Sequence, residues 1–355
     1  MNRPLRIALI ASAGHPIRDP FAGGLEAHTW TLSKALLGRG HHVTLFAGPG
    51  SDPGLGVTEM PLRVPRISQA ARNDASMAAP QWLAEHHAYL GLMLDLAHSP
   101  SQYDVVHNNS LHYLPVAMAA AVPCPVVTTL HTPPTPWLES AIQAPSHCPV
   151  RFSAVSRHTA KAWRHLVPSA TVVRNGIDTD RWPQGPGGEG LIWSGRIVPE
   201  KGAHLAIAAA RLAGRDLTLA GPVGNEEYFE ACIRPRLDQH VTYAGHLQQR
   251  ELRALVGSSA AALVTPCWDE PYGLVIAEAL ACGTPVCGFA RGALPEIVTP
   301  ECGRLVAPGD HRALARVVEP TIALSRPKAR RHAEDFCSMQ VMTRSYERLY
   351  YAVAT

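Results

Sequence analysis

Short apolar runs alternate with helical patterns along nearly the whole chain. In the first half these runs are rich in Val, Ile and Thr, as buried parallel strands are. The predicted strands cover residues 6–11, 42–47, 104–107, 125–131, 152–155 and 171–173. Segments between them, such as residues 25–37 and 156–166, carry apolar positions at helical spacing. Strands that alternate with helices predict a parallel sheet with helices on both faces.

A second series of the same kind begins near Leu191. Its predicted strands cover residues 191–194, 217–220, 242–244, 262–265, 285–288 and 303–306, and its predicted helices include residues 204–213, 251–258 and 274–281. Between the two series, residues 182–190 are dense in glycine and proline, which predicts a hinge. A last helical segment, residues 338–353, follows the second series.

These patterns predict an α/β fold of two Rossmann-like, doubly wound parallel-sheet domains that face a central cleft. The predicted domains are residues 1–182 and residues 183–335, and residues 336–355 are expected to form a C-terminal helix that crosses back to the N-terminal domain. Ligands of open parallel sheets bind beyond the carboxyl ends of the strands. The cleft is therefore the predicted binding site.

Composition narrows the classes of function. The 355 residues carry a net charge of only +3, which gives no electrostatic footprint for duplex nucleic acid. No apolar run reaches the ~18 residues of a membrane span, and residues 5–13 are interpreted as a buried strand rather than as a signal peptide. The eight cysteines are scattered without a Cys-x-x-Cys pair, which predicts reduced thiols in a cytoplasmic protein.

The first stretch with candidate chemistry is Gly-Arg-Ile-Val-Pro-Glu-Lys-Gly at residues 195–202, which follows a predicted strand and opens a predicted helix. Its two cations, Arg196 and Lys201, lie where the helix dipole is already positive, which is unfavourable without a bound anion. Free N–H groups at a helix start also attract anions. The stretch predicts a diphosphate site, and an exposed basic loop is the alternative interpretation.

The second stretch covers residues 269–286. Glu270 precedes a predicted helix, and Glu278 lies within it among apolar neighbours. A carboxylate in so apolar a helix needs hydrogen-bond partners, and the two hydroxyls of a ribose supply them in dinucleotide sites. Gly273 leaves the N–H groups of the helix start open to phosphate. The alternatives are a solvent-facing Glu278 and a Glu270 favoured only by the helix dipole.

Together these stretches resemble the retaining, nucleotide-sugar-dependent glycosyltransferases of family four, the group 1 transferases with the two-Rossmann GT-B fold. The matching runs are Gly-Arg-x-x-x-Glu-Lys-Gly at 195–202, Glu-Pro-x-Gly-x-x-x-x-Glu at 270–278 and Ala-Cys-Gly-Thr-Pro-Val at 281–286. Weaker matches are Gly-Gly-x-Glu at 23–26, Thr-Leu-His at 129–131, Ser-Ala-Val-Ser at 153–156 and Asn-Gly-Ile-Asp at 175–178. They fall in the family's order over nearly the whole chain.

The resemblance implies a role for each matching position. Arg196 and Lys201 would hold the donor diphosphate, Glu278 the ribose and Glu270 the transferred sugar, while His131 would lie beneath the reacting sugar. The implied catalytic residues are His131, Arg196, Lys201 and Glu270, and the implied donor-binding residues are Gly23, Gly24, Gly195, Gly273, Leu274, Val275 and Glu278. A histidine with satisfied hydrogen bonds at a strand end is the alternative interpretation of His131.

The implied activity is that of a retaining hexosyltransferase, which moves a sugar from a nucleotide-diphosphate sugar to a hydroxyl acceptor. Residues 1–182 would then be the acceptor side and residues 183–335 the donor side. UDP is the expected nucleotide, and no metal or other cofactor is expected, because Asp178-Thr-Asp180 is interpreted as a capping turn. The alternatives are a nucleotide-sugar epimerase or phosphorylase on the same fold and a non-catalytic nucleotide-sugar-binding protein.

The acceptor stays open among a saccharide, a lipid-linked molecule and a small molecule. In many relatives an acidic or amide residue follows the histidine, whereas Thr132 follows it here. Residues 60–100 form the least regular part of the first domain. The rings in and after this region are Trp82, His86, His87, Tyr89 and Trp137. Aromatic rings often stack on sugars, but most of these are expected to fill the core. Arg63, Arg66 and Arg72 are interpreted as a solvated basic face rather than as a membrane-binding surface.

Overall fold

The computed structural model describes residues 3–99, 102–145 and 147–354 and contains two parallel sheets. The strands of the first sheet are β1 Arg6–Ile10, β2 His42–Ala47, β3 Val57–Glu59, β4 Val105–Asn108, β5 Val126–Leu130, β6 Arg151–Ala154 and β7 Thr171–Val172. Their order across the sheet is β3-β2-β1-β4-β5-β6-β7. In the register, Ile7 of β1 pairs with Val43 on one side and Val105 on the other.

The second sheet repeats this architecture with six strands. They are β8 Leu191–Ser194, β9 Leu217–Ala220, β10 Val241–Tyr243, β11 Ala261–Val264, β12 Val286–Phe289 and β13 Gly303–Val306. Their order is β10-β9-β8-β11-β12-β13. Every residue of β5, β11 and β12 is buried, as central strands covered on both faces should be.

Helices cover both sheets. In the first half they are α1 Gly24–Gly38, α2 Gln69–Arg72, α3 Pro80–Ala97, α4 Leu114–Ala117, α5 Pro136–Gln143 and α6 Arg157–Ala162. In the second half they are α7 Ala203–Leu212, α8 Glu226–Tyr228, α9 Gln249–Gly257, α10 Leu274–Ala281, α11 Leu294–Ile297, α12 His311–Ile322, α13 Arg326–Phe336 and α14 Met339–Val353. Among the described helices, none is both long and apolar enough to cross a membrane. The predicted fold class is confirmed.

The C-terminal helix α14 crosses back to the first sheet, as the sequence predicts. Met342, Tyr346 and Tyr350 are buried in the same apolar cluster as Ile7 and Leu9 of β1. Burial of large side chains is the main force that holds such a helix in place. The last helix therefore ties the two halves of the chain together.

The glycine-rich segment 182–190 differs from the flexible hinge that its composition predicts. Gly185 N–H donates to the carbonyl of Cys282, and Gly187 N–H donates to that of Gly257. A Cβ at Gly185 would lie 2.3 Å from the carbonyl oxygen of Gly257. Glycine is needed here because two backbones meet, so the segment is packed on the second domain.

The chain crosses between the two halves a few residues earlier. Val173 belongs to the core of the first half, whereas Ile177 belongs to that of the second. Ile177 forms a parallel bridge with Ser338, just before α14 begins. The outgoing and returning connections therefore lie side by side.

Residues 60–100, expected to be the least regular part of the first domain, contain the 18-residue helix α3. Pro80 begins this helix, where its fixed φ and missing N–H cost nothing. Ala84, Ala88 and Leu92 are buried at helical spacing. The expectation was wrong because alanines and histidines blur the apolar stripe that faces the core.

Candidate active site

A cavity of about 330 Å³ opens between the carboxyl ends of the two sheets. It is lined by all eleven residues that the resemblance singles out, which come from four separate segments of the chain. They are Gly23, Gly24, His131, Gly195, Arg196, Lys201, Glu270, Gly273, Leu274, Val275 and Glu278. The structure thus brings the predicted site residues together in one place.

The loop after β8 supplies the two cations. Arg196 is exposed and its stem covers Gly224, where a Cβ would lie 2.7 Å from the Arg196 Cδ. Gly202, with φ +68°, then turns the chain into α7, and a Cβ there would lie 2.1 Å from the carbonyl oxygen of Thr265. Only glycine fits this turn, and the turn holds Lys201 at the cavity wall.

Lys201 and Glu270 contact each other directly. The Lys201 Nζ lies 2.5 Å from Glu270 Oε2, and both side chains are largely buried. Trp268 Nε1–H donates to the same oxygen at 3.0 Å, and the ammonium lies 5.2 Å from the indole centroid. A cation that is already paired and stacked is fixed in place. The pair therefore presents a preorganised charge to the cavity.

The start of α10 points unpaired N–H groups at the same cavity. Gly273 adopts φ +91° as the residue before the helix. Among the described residues, no acceptor pairs with the N–H of Leu274 or Val275. The first N–H groups of a helix and its dipole favour negative charge. This helix start is thus suited to a phosphate group.

Glu278 lies one helical turn further along α10 and is mostly enclosed. No described side chain or backbone group donates a hydrogen bond to its carboxylate. Burial raises the pKa of Glu278 to about 7, because a low-dielectric surrounding disfavours the charged form. An unpartnered carboxylate beside a cavity is a ready acceptor for the hydroxyls of a ligand.

The first domain approaches this helix through glycines. A Cβ added to Gly24 would lie 3.3 Å from Leu274 Cδ1 on the opposite domain. Asp19 also accepts a hydrogen bond from the Gln249 N–H at 3.0 Å, across the cleft. The absence of a side chain at residue 24 leaves the α1 N-terminus open to a ligand that fills the gap.

His131 closes the cavity from the first domain, directly after β5. Its Nε2 lies 2.9 Å from Asn109 Oδ1, so the ring donates from Nε2 to the amide oxygen. Burial, with His28 and His107 nearby, holds the pKa of His131 well below its usual range. The ring is therefore neutral at pH 7.

A buried polar network supports this wall of the cavity. Thr129 Oγ1 lies within 3.0 Å of His107 Nε2, Ser153 Oγ and Tyr346 Oη. Tyr350 Oη lies 2.6 Å from His107 Nδ1. Helix α14 thus contributes two hydroxyls beneath the strand that carries His131, which fixes that strand in place.

A second contact between the domains lies at the edge of the cleft. The Glu296 carboxylate, at the start of the second half's α11, accepts from the N–H groups of Arg157 and His158 at 2.9 and 2.6 Å. These groups begin α6 of the first half, and a helix start attracts negative charge. The contact holds the two domains against each other.

Several lining residues were not found from the sequence. Trp193, Trp268, Tyr272 and His246 line the cavity beside the predicted set. Trp193 precedes the basic motif by two residues and looks like an ordinary strand residue, and its Nε1–H donates to Thr265. Trp268 lies two residues before the Glu-Pro-x-Gly run, and Tyr272 lies within it. These two aromatic residues were the sequence signal that could have indicated this part of the cavity wall.

Asp178 behaves as the predicted turn residue. Its Oδ1 accepts from the N–H groups of Asp180 and Arg181 at 3.1 and 3.3 Å. Within the described ranges no group of three or more His, Cys, Asp or Glu side chains could hold a metal ion. The eight cysteines are all free thiols.

Comparison with known proteins agrees with this geometry. The model described as "Glycosyltransferase Family 4" matches residues 22–181, and the model "Glycosyl transferases group 1" matches residues 179–335. A glycogen synthase of Mycobacterium tuberculosis is 29% identical, over 92% of this chain and 89% of its own. An MMP α-(1→4)-mannosyltransferase of Mycolicibacterium hassiacum is also 29% identical, over 88% of both chains.

Solved structures show the same fold. AviGT4, a glycosyltransferase involved in avilamycin A biosynthesis, superposes with a TM-score of 0.72 at 23% identity, over 99% of this chain and 98% of its own. Anabaena HepE, solved in complex with UDP and glucose, superposes with a TM-score of 0.76 at 18% identity, over 98% of this chain and all of its own. With both family models matched in order over residues 22–335, the chain belongs to the family 4, group 1 glycosyltransferases.

Proposed function

We propose that this protein is a retaining hexosyltransferase that moves a sugar from a nucleotide-diphosphate sugar, with UDP as the nucleotide, to a hydroxyl acceptor without a metal ion. One observation carries the proposal: Arg196, Lys201, Glu270 and Glu278 line the same cavity as the start of α10. Two cations and a helix start suit a diphosphate, and two carboxylates suit the hydroxyls of a ribose and a sugar.

Charge stabilisation is the main catalytic effect in this proposal. When the bond between the anomeric carbon and the phosphate oxygen breaks, negative charge develops on the departing diphosphate. Arg196, Lys201 and the N–H groups of Leu274 and Val275 are directed at that charge, and fixed donors of this kind are usually the largest single term in catalysis. These groups take the part that a metal ion plays in other sites.

The acceptor proton goes to the leaving group. The acceptor oxygen bonds to the anomeric carbon on the face that the phosphate leaves, and the hydroxyl proton passes to the phosphate oxygen, so configuration is retained. His131 has a strongly lowered pKa and is therefore a weak base. Its place under the sugar suits it to orient the donor through neutral hydrogen bonds.

The nucleotide and the reaction type are tested together. The purified protein is incubated with UDP-glucose, ADP-glucose or GDP-mannose and with a mixed pool of acceptors in the presence of EDTA, and the products are identified by mass spectrometry. We expect UDP release matched by a new glycoside. With inorganic phosphate added, sugar 1-phosphate formed from the pooled saccharides would indicate a phosphorylase. An epimeric nucleotide sugar would indicate an epimerase, and binding without turnover would indicate a binding protein.

Loss of activity in EDTA, restored by a divalent cation, would contradict the metal-independent part of the proposal. Thermal-shift measurements with UDP, ADP and GDP give the nucleotide preference independently of any acceptor, because a ligand that binds only the folded state raises its stability. UDP is expected to give the largest shift. HepE was solved with UDP bound, which supports this choice of nucleotide.

A further inference from the structure

Four rings on the first domain form a surface cluster, which we call the aromatic rim: the exposed Trp82 and Trp137 and the half-buried His86 and Tyr113. Trp82 stacks on His86 with ring centroids 5.0 Å apart, and Tyr113 stacks on Trp137 at 5.3 Å. The two stacks meet where the Trp82 and Trp137 rings lie 6.2 Å apart. The rim joins three elements, since its rings come from α3, the residue before α4, and the first turn of α5.

The rim is unusual because it is exposed. Trp82 keeps 40% of its surface accessible and Trp137 keeps 58%, whereas nearby Tyr89 is buried. The expectation that most of these rings fill the core is therefore wrong for both tryptophans. Neither indole N–H has an acceptor among the described residues. Exposed apolar side chains gathered in one patch mark a binding surface more often than scattered ones do.

The rim continues the wall of the cleft. Trp137, in the first turn of α5, follows His131 by six residues, and Tyr113 follows Leu111 by two residues in the loop after β4. His131 and Leu111 both line the cavity, and Leu111 is itself 52% exposed. The four rings do not line the cavity themselves, and the rim is joined to it through Leu111 and His131 on the first domain.

We infer that the aromatic rim is an acceptor subsite that stacks against the pyranose rings of a neutral saccharide. This inference rests on the proposed glycosyl transfer. A pyranose presents an apolar C–H face and a hydroxyl edge, and the rim presents two exposed indoles with their N–H groups, while the Tyr113 hydroxyl pairs with His86 Nδ1 at 3.4 Å. Large rigid rings give contact area at low entropy cost, and their polar ends set orientation.

The chemistry of the rim favours an uncharged saccharide over a membrane surface. None of its four side chains is Lys, Arg, Asp or Glu, so it offers no fixed charge to a phosphate or to an anionic headgroup. Surfaces that bind anionic lipid combine apolar residues with Lys and Arg. The nearest basic run in the sequence, Arg63 to Arg72, lies on a different segment before α3.

The test compares Trp82→Ala and Trp137→Ala with Trp137→Tyr, which keeps a stacking ring, and with Leu212→Ala, an exposed apolar control on α7. Maltotetraose, cellotetraose, mannotetraose and N-acetylchitotetraose are titrated by calorimetry, and UDP binding is measured on the same samples by thermal shift. We expect at least one saccharide to bind, with its Kd raised about ten-fold in each alanine variant, the effect of losing one aromatic stack. Trp137→Tyr should restore most of the affinity, and Leu212→Ala should leave it unchanged.

The readouts separate this inference from the proposed function. UDP binding without binding of any saccharide, or saccharide binding that is unchanged in both alanine variants, overturns the rim subsite and leaves the donor site intact. Saccharide binding that depends on the tryptophans, without any nucleotide binding, supports the subsite and overturns the transferase proposal. Binding to vesicles of phosphatidylglycerol that is lost in the alanine variants, together with no saccharide binding, assigns the rim to a membrane instead.

Discussion

The two walls of the cleft use different chemistry. The second domain presents charges and a helix start, through Arg196, Lys201, Glu270, Glu278 and α10. The first domain presents glycines, a neutral His131 and one carboxylate, that of Asp19. A wall of fixed charges suits a diphosphate that gains charge as it leaves, whereas a wall with few charged side chains suits a hydroxyl acceptor. Under the proposed function, the second domain supplies the driving force for the reaction and the first domain selects the acceptor.

The largest effect is expected from removing the cations. Lys201→Ala and Arg196→Ala should each lower kcat by roughly 100–1000-fold, the effect of losing one fixed donor to a developing charge. Initial rates of nucleotide release measure this, and circular dichroism confirms the fold. Lys161→Ala, which removes an exposed lysine on α6, is the matched control. An unchanged kcat in the Arg196→Ala/Lys201→Ala double variant would contradict the proposed role of these two cations in stabilising the departing diphosphate.

A pH dependence is expected from Glu278. Ribose hydroxyls donate to the charged carboxylate, so donor binding favours deprotonation of a group whose pKa lies at about 7. UDP affinity should therefore be about ten-fold weaker at pH 6 than at pH 8, measured by calorimetry. Glu278→Gln should remove this pH dependence, whereas Glu227→Gln, on the surface, should keep it. An equally steep profile in the Glu278 variant would show that another group is responsible.

The same carboxyl group predicts that the stability of the ligand-free protein falls as pH rises, whereas UDP affinity increases. In the folded, ligand-free protein its pKa is raised from 4.5 to about 7, so the folded state binds this proton more tightly than the unfolded state does. Its contribution to stability is present below pH 4.5 and is lost as pH rises towards 7. At pH 8 without ligand, Glu278→Gln should therefore have a higher Tm than the unmodified protein. A lower Tm would show that the carboxylate has a partner.

A smaller effect is expected from removing one of the contacts between the two domains. Glu296→Ala removes the carboxylate that accepts from the Arg157 and His158 N–H groups, a contribution of about 1 kcal/mol for a charge at a helix start. Small-angle scattering should show a larger radius of gyration without ligand, and saturating UDP should restore the compact form. Glu227→Gln serves again as the control. An unchanged radius would mean that the remaining contacts, which include the Gln249 N–H bond to Asp19, are enough to hold the domains together.

The smallest effect is expected from removing one hydroxyl of the buried polar network beneath β5 in the first domain. Tyr346→Phe removes the hydroxyl that pairs with Thr129 Oγ1, which costs about 1 kcal/mol and lowers Tm by about 2–4 °C. UDP affinity should stay unchanged because Arg196, Lys201 and Glu278, the proposed diphosphate and ribose contacts, lie on the other domain. Tyr351→Phe, near the surface, is the comparison. A fall in UDP affinity would show that the two walls are not independent.

The sequence predicted the residues on the second-domain side of the cleft much better than it predicted the aromatic rim. Arg196, Lys201, Glu270 and Glu278 lie in short runs whose spacing fixes them relative to a strand and a helix, so their meeting could be anticipated. The aromatic rim combines three elements that are distant in sequence, and no local spacing brings their rings together. Packing between elements, which pattern alone does not specify, decides which rings are buried.

The connection between the domains shows the same limit. Residues 182–190 have the composition of a flexible linker, but their glycines are needed for backbone contact with Gly257 and Ser258. Glycine serves both flexibility and close approach, so composition could not separate the two uses. The side-by-side crossing at Ile177 and Ser338 depends on a pairing of segments far apart in the chain.

The central claim is tested most directly by NMR of one reaction that contains UDP-glucose labelled with ¹³C at the anomeric carbon and an accepted saccharide. Retaining transfer predicts that the ¹³C signal of the α-linked donor is replaced by the ¹³C signal of an α-glycoside, at the rate at which UDP appears. A β-linked product, or a donor signal that persists while the protein binds UDP and the saccharide, would contradict it.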